Sequence, residues 1–269
     1  MTSTASLERA AFQIRRKFLR MHFRAQAGHI GTGLSCIDIL TYLYGAWLRP
    51  EDAFILSKGH GASSLYATLH HFGQLSDAEL KTYYQEGTLL PAHPASLGHP
   101  AIPVATGSLG HGLPISNGLA FAKLVLSPSQ GRVACLLSDG ECNEGAVWEA
   151  ALFAAHHRLK NLVAVVDANG LQGFGRTSEV LELEPLPAKW KAFGWDVRDV
   201  DGHSFAELDS AFARQNSRPL AIIARTIKGK GVSFLEDRLE SHYWPINESQ
   251  LSQALRELDE AEQKQGGRK

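Results

Sequence analysis

The sequence predicts an α/β fold, a doubly wound and mainly parallel sheet with helices on both faces, built as a single domain over residues 1–269. Three observations lead there. Short β-rich runs alternate with helical patterns, the order of elements expected of a parallel sheet covered on two sides. With 44% apolar residues in 269 positions there is material for one sizeable core. No internal repeat and no low-complexity linker divides the chain.

In chain order, Ala11, Ile14, Phe18 and Met21 recur at helical spacing and run directly into the "GHIGTG" loop. The Arg-rich "RRKFLRMHFR" at 15–24 therefore reads as a structural helix with a solvated basic face rather than a transit peptide, since no cleavage signal follows it. Helices are expected at 34–47, 61–72 and 114–125. A strand at Val133–Leu137, a helix at 144–157 and a strand at Leu162–Val166 follow. Strands Trp195–Val200 and Leu220–Arg225 flank a helix at 204–214. The polar stretch 258–269 is expected to fade into a frayed tail.

Lys and Arg number 27 against 28 Asp and Glu, so a net charge of −1 leaves no electrostatic footprint for nucleic acid. No run approaches the length of a membrane span. The three cysteines, Cys36, Cys135 and Cys142, are odd in number and lack C-x-x-C spacing, and Cys135 lies in an apolar run typical of a buried strand. Thiols in a reducing cytoplasm fit this pattern.

The segment from Leu136 to Gln172 carries the chemistry. Strand, "SDGECNEG" turn, helix and strand form a βαβ unit whose two strands run parallel and end at one edge of the sheet. Asp139 and Asn169 each lie just past a strand end, where open α/β sheets bind ligands. A carboxylate and an amide oxygen there suit a hard divalent cation that completes its shell with phosphate oxygens. Gly140 allows close backbone approach, and the helix start near Glu144 favours an anion. Asp and Asn are also common turn residues, and spacing alone leaves both readings open.

This segment resembles the thiamine diphosphate motif of transketolases, in which Gly-Asp-Gly is followed about thirty residues later by Asn. The resemblance spans nearly the whole chain: "AGHIGTGLSCIDILTYLY", "ILSKGHGASSLYATL", "GHPAIPVATGSLGHGLPISNGLAFA" and "ARTIKGKGVSFLED" with "SHYW" are each similar to family segments in the same order. It implies the thiamine diphosphate-binding fold, and specifically the diphosphate-binding (PP-type) domain. Asp139, Asn169 and the backbone carbonyl of Leu171 would hold Mg²⁺, or Ca²⁺ or Mn²⁺ in its place. His60, Gly107, Ser108, Leu109, Gly110, Gly140, Glu141 and Asn169 would contact the cofactor. His29, His60, His99 and His242 would line the cofactor and sugar channel, and Glu144 would link two active sites across a dimer interface.

Neutral histidines are apt donors and acceptors for a polyhydroxy substrate. His29, His60 and His99 each adjoin a glycine in a loop. His70, His71, His156 and His157 lie in helical runs and read as structural, and no Cys/His spacing supports zinc.

Ser138 stands where the family commonly has Gly, Ile30 where many members have Pro, and His111 where Gln is frequent. The second domain of transketolases, which normally provides the glutamate that activates the cofactor, has no counterpart here. The resemblance thus implies the N-terminal subunit of a split transketolase. Such an enzyme moves a two-carbon ketol unit from a ketose or ketose phosphate to an aldose or aldose phosphate, together with a separate C-terminal subunit in a heterotetramer. Alternative readings are one half of another split thiamine enzyme, acting on a 2-oxo acid or making a specialised sugar, and a non-catalytic interaction protein that keeps the fold.

Overall fold

The structure, a computed structural model, describes residues 2–126, 131–213 and 217–266. Its sheet comprises β1 (Ala53–Leu56), β2 (Val133–Ser138), β3 (Leu162–Ala168), β4 (Asp196–Asp201) and β5 (Leu220–Arg225). All pairings are parallel and the spatial order is β1-β2-β3-β5-β4. Parallel strands need crossovers, and these supply the helices that lie between β1 and β5 in the chain. In chain order the helices are α1 (Thr4–Ala25), α2 (Ile30–Ser35), α3 (Ile37–Tyr42), α4 (Ala62–His71), α5 (Asp77–Lys81) and α6 (Gly112–Phe121). They continue with α7 (Gly145–His156), α8 (Thr177–Val180), α9 (Leu186–Ala192), α10 (Phe205–Phe212) and α11 (Glu248–Gly266).

Strand periodicity sorts the core into two layers. Val133, Cys135 and Leu137 of β2, with Leu162, Ala164 and Val166 of β3, face the layer that holds Val147 of α7 and Trp190 of α9. Their alternates Ala134, Leu136, Val163 and Val165 face Phe18 of α1, Leu40 of α3, Leu65 of α4 and Leu208 of α10. Strands buried on both faces are apolar throughout, as in β2. The predicted doubly wound sheet is therefore the observed one.

The sequence does not announce strand β1: four apolar residues between polar segments carry too little periodicity. β4 begins one residue later than predicted, because Trp195 is buried instead and donates its indole N–H to the Ala151 carbonyl at 2.9 Å. The helix expected at 34–47 starts earlier, at Ile30, breaks at Cys36 and ends in a π-helical turn over Leu43–Trp47. Position 214, the end predicted for α10, lies outside the described residues.

The predicted apolar stripe of α1 is buried, and Ser3 caps it by accepting from the Ser6 N–H. Its basic face is not wholly solvated, however. Arg15 is buried against Asp38, and Arg16 pairs with Asp259 and Glu262. Those last two partners belong to α11, which is helical as far as Gly266 with Leu258 fully buried, where the sequence suggests a frayed tail from 258. Residues 267–269 lie outside the described residues. The three cysteines are free and buried. No described helix is long and apolar enough to cross a membrane.

Candidate active site

Ser138 pairs with Asp167 in the β2–β3 register, so Asp139 and Asn169 leave the sheet together at its C-terminal edge. Asp139 is buried, and its carboxylate accepts the Gly140 N–H at 2.7 Å and the Gly170 N–H at 2.6 Å. Asn169 Oδ1 accepts the Leu171 N–H at 3.1 Å. These bonds fold the 169–171 turn back over Asp139. Burial, then the neighbouring Asp167 charge, pushes the Asp139 carboxyl up to about 6.

A cleft of about 590 Å³ opens above this edge, within the size range of small-molecule sites. Asp139, Asn169 and Leu171 form one end, and His29, His60, His93 and His242 form another part of the lining. The His29 ring centroid lies 4.9 Å from that of His242, 5.6 Å from His60 and 5.8 Å from His93. Burial is the main cause that holds these imidazoles neutral. His29 falls to about 4, with His93 and two lysines adding to the effect, and His242 falls to about 3, with Lys228 next in importance. His60 and His93 are also lowered.

Two lysines underlie the cleft. Lys58, just past β1, is fully buried and forms an ion pair with Asp167, which also accepts from Ser35 and Thr226. The ends of β1, β3 and β5 and helix α2 thus meet on one carboxylate. Lys228 donates to the Leu171 carbonyl at 3.1 Å and to His242 Nδ1 at 3.0 Å. It has no carboxylate within ion-pair distance among the described residues, and burial lowers it to about 8 while Asp139 opposes the shift.

Of the residues singled out in the sequence, His29, His60, His242, Gly107, Leu109, Gly140, Glu144, Asp139, Asn169 and Leu171 all border the cleft. His99 does not. Its Nδ1 accepts the Ala101 N–H and its Nε2 donates to the Gln74 carbonyl, so both ring nitrogens are occupied in a separate loop. His93 joins the cluster instead. "AHPASLGHP" holds two His-Pro pairs, and sequence reasoning favours the second because it adjoins a glycine.

Ser108 is exposed and Gly110 buried, neither of them bordering the cleft, and Glu141 turns inward. The Glu141 carboxylate accepts from Ser57, from the Gly110 N–H at 2.9 Å and from the Ser138 N–H at 3.3 Å. It therefore fastens the 107–110 loop to the strand ends and does not face the cleft. Gly110 has φ +85°, and a Cβ there would lie 2.8 Å from Glu144 Cβ. His111 is exposed beside its own loop, and Ser138 fits the strand end with its Oγ accepting the Glu141 N–H. Sequence reasoning misses Lys58, Lys228, His93 and Asp167, although the two lysines lie within the quoted motifs.

Among the described residues no three His, Cys, Asp or Glu side chains converge as a metal cluster. An oxygen set of one carboxylate, one amide and one main-chain carbonyl is a different arrangement, and it suits a hard cation that shares its shell with phosphate. Each of these oxygens retains a lone pair beyond its present bond. The buried Lys228 ammonium beside them, with no carboxylate partner among the described residues, fits an anionic group. The donor set is thus compatible with a metal-bound diphosphate.

Residues 8–264 match the family described as "Transketolase, thiamine diphosphate binding domain". The chain is 36% identical to an apulose-4-phosphate transketolase subunit of Phocaeicola vulgatus, over 95% of this chain and 94% of that protein. It is 38% identical to the 6-deoxy-6-sulfo-D-fructose transketolase subunit SqwG of Clostridium sp. (strain MSTE9), over 94% of this chain and 96% of that one. Human transketolase is 35% identical over 94% of this chain, which spans 42% of that protein's length. Among solved structures, transketolase from Leishmania mexicana superposes with a TM-score of 0.88 at 26% identity, covering 96% of this chain and 42% of that one.

Proposed function

The chain belongs to the transketolase family through its thiamine diphosphate binding domain, and from that membership we propose that it is the N-terminal subunit of a split transketolase, active with a separate partner chain. The observation that carries the reading is the convergence of Asp139, Asn169 and the Leu171 carbonyl with Lys228 and four neutral histidines in one cleft. The partner follows from full-length similarity to proteins that are themselves named as subunits of transketolases.

Asp139, Asn169 and Leu171 would hold Mg²⁺ or a similar divalent ion, with Lys228 balancing the diphosphate charge. Thiamine diphosphate, when bound, supplies the electron sink for breaking a carbon–carbon bond next to a carbonyl. This chain's own part is to position and to manage protons. Neutral imidazoles of His29, His60, His93 and His242 can both donate to and accept from sugar hydroxyls at neutral pH. With Nδ1 accepting from Lys228, His242 carries its proton on Nε2.

We assign ketose and aldose phosphates as substrates, a heterotetramer with two interfacial sites as the assembly, Glu144 at the contact between those sites, and the cytoplasm as the compartment. A coupled ketol-transfer assay tests this, run with Mg²⁺ and thiamine diphosphate on the chain alone and mixed with a chain resembling the pyrimidine-binding and C-terminal domains of transketolases. Activity in the mixture only is expected. Activity of the chain alone, or of neither, would overturn the split-enzyme reading.

A further inference from the structure

We propose that His203 is a positioning residue for the cleft, holding the backbone at Ile227 so that Lys228 reaches the Leu171 carbonyl and His242. The proposal rests on reading the cleft as the diphosphate site.

His203 follows β4 and is not among the residues that border the cleft. Its Nε2 accepts the Ile227 N–H at 2.9 Å, and its Nδ1 lies 2.7 Å from Asp38 Oδ2. An acceptor at Nε2 leaves the ring proton on Nδ1, which donates to Asp38. Asp38 is in turn gripped by both Arg15 guanidinium nitrogens, at 2.9 and 2.6 Å. Arg15, Asp38 and His203 are nearly buried, with side-chain exposures of 7%, 7% and 12%.

The buried Arg15–Asp38 ion pair is weak evidence of net stability, and its carboxylate also orients the neutral His203 ring. Together the three reach the 227–230 segment at two backbone groups, the Ile227 N–H through His203, one residue before Lys228, and the Lys230 carbonyl through Arg15 Nε at 3.4 Å. The neighbouring bonds show how finely that segment is placed. Thr226 donates its hydroxyl to Asp167 and its N–H to the Ala168 carbonyl, and Gly229 N–H bonds to the Gly31 carbonyl at 2.9 Å. Ile227 lies between them; its carbonyl accepts the local Lys230 N–H at 3.1 Å, and its N–H is held by His203. Its own side chain is partly exposed and offers little packing to replace the bond. Without His203 the main chain is free to shift at Ile227, and a Lys228 ammonium displaced by an ångström loses its place beside Leu171.

The first test uses the purified wild-type chain. Ring ¹⁵N shifts should report His203 protonated on Nδ1 alone, and the Ile227 amide should be protected from exchange. A proton on Nε2, or free exchange at Ile227, would overturn the proposal even if every variant failed to fold. Next, His203→Phe should speed Ile227 exchange about tenfold and weaken binding of Mg²⁺ with inorganic diphosphate about tenfold. His203→Gln, whose amide can accept from Ile227 and donate to Asp38, should restore both to within about threefold. Equal affinity in wild type and His203→Phe would overturn the positioning role. Failure of the wild-type chain to bind Mg²⁺-diphosphate would instead overturn the reading of the cleft, while ring tautomer and amide exchange still report on His203.

Discussion

Lys228 donates to His242 Nδ1 at 3.0 Å, so an ammonium that faces no carboxylate partner among the described residues is fixed against a neutral imidazole at the centre of the cleft. Burial is the largest cause of the low His242 pKa, and the Lys228 charge is the next. Lys228→Met should raise the His242 pKa from about 3 toward its ordinary value without reaching it. NMR titration of the ring checks this, and an unchanged value would show that burial alone sets it.

Asp139 is the only charged side chain in the proposed metal set. Asp139→Ala should weaken Mg²⁺-dependent binding of thiamine diphosphate by more than about 100-fold. Calorimetric titration with and without Mg²⁺ measures it. Undiminished affinity would sink the metal assignment.

His93 and His99 make a paired test. His99→Ala removes the bonds to the Gln74 carbonyl and from the Ala101 N–H and should cost about 1–2 kcal/mol of stability while leaving ketol transfer within about twofold. His93→Ala, next to His29, should lower kcat/KM at least about tenfold. The reverse pattern would restore the sequence-based choice of His99.

Gly110→Ala should destabilise the chain by about 1–3 kcal/mol, because its φ of +85° and the 2.8 Å approach to Glu144 leave no room for a methyl group. Gly118→Ala, in α6 with nothing within 4 Å of its Cβ position, should instead stabilise by about 0.5–1 kcal/mol. Denaturant melts of the two variants decide the matter.

Stability should fall as pH drops from about 6.5 toward 4. His22, buried against Ser63, is lowered to about 4 mainly by burial, and His29 behaves alike. A histidine whose folded pKa is depressed binds fewer protons in the folded than in the unfolded state. Its contribution is therefore complete above the unfolded pKa and lost as pH falls to the folded one. For His22 the loss is on the order of 3 kcal/mol. Asp38 adds a further loss between about pH 4 and 2: burial pushes its carboxyl up, but Arg15 and His203 together outweigh burial and hold it down to about 2. His22→Gln should flatten the upper part of the profile, and an unaltered profile would count against this origin.

Much of the fold was legible because buried parallel strands write themselves as apolar runs. Val133–Leu137 and Leu162–Val166 are readable within a residue or two, and they carry Asp139 and Asn169 to the same edge. β1 was not legible, since Ala53–Leu56 is too short an apolar run to show alternation, although Pro50, Asp52, Ser57 and Gly59 flank it. The site was legible where chemistry follows a strand end, whereas adjacency to glycine served for His29 and His60 and misled at His99. It was illegible where it depends on distant pairing. Lys58 and Asp167 are 109 positions apart, and no local pattern announces their contact. The same holds for His93, where two similar dipeptides compete and only the fold chooses between them.

The βαβ unit also bears on the order in which the site is assembled. Val133 of β2 pairs with Leu162 of β3 only 29 positions on, whereas β1 must wait for a partner 80 positions away and the His29 N–H for the carbonyl of His242. Closing a short loop costs less chain entropy and happens sooner. On chain entropy alone, closing the oxygen set of Asp139, Asn169 and Leu171 costs less than closing the histidine cluster. The end that would grip the diphosphate is thus built on local contacts, and the end that would meet the sugar on distant ones.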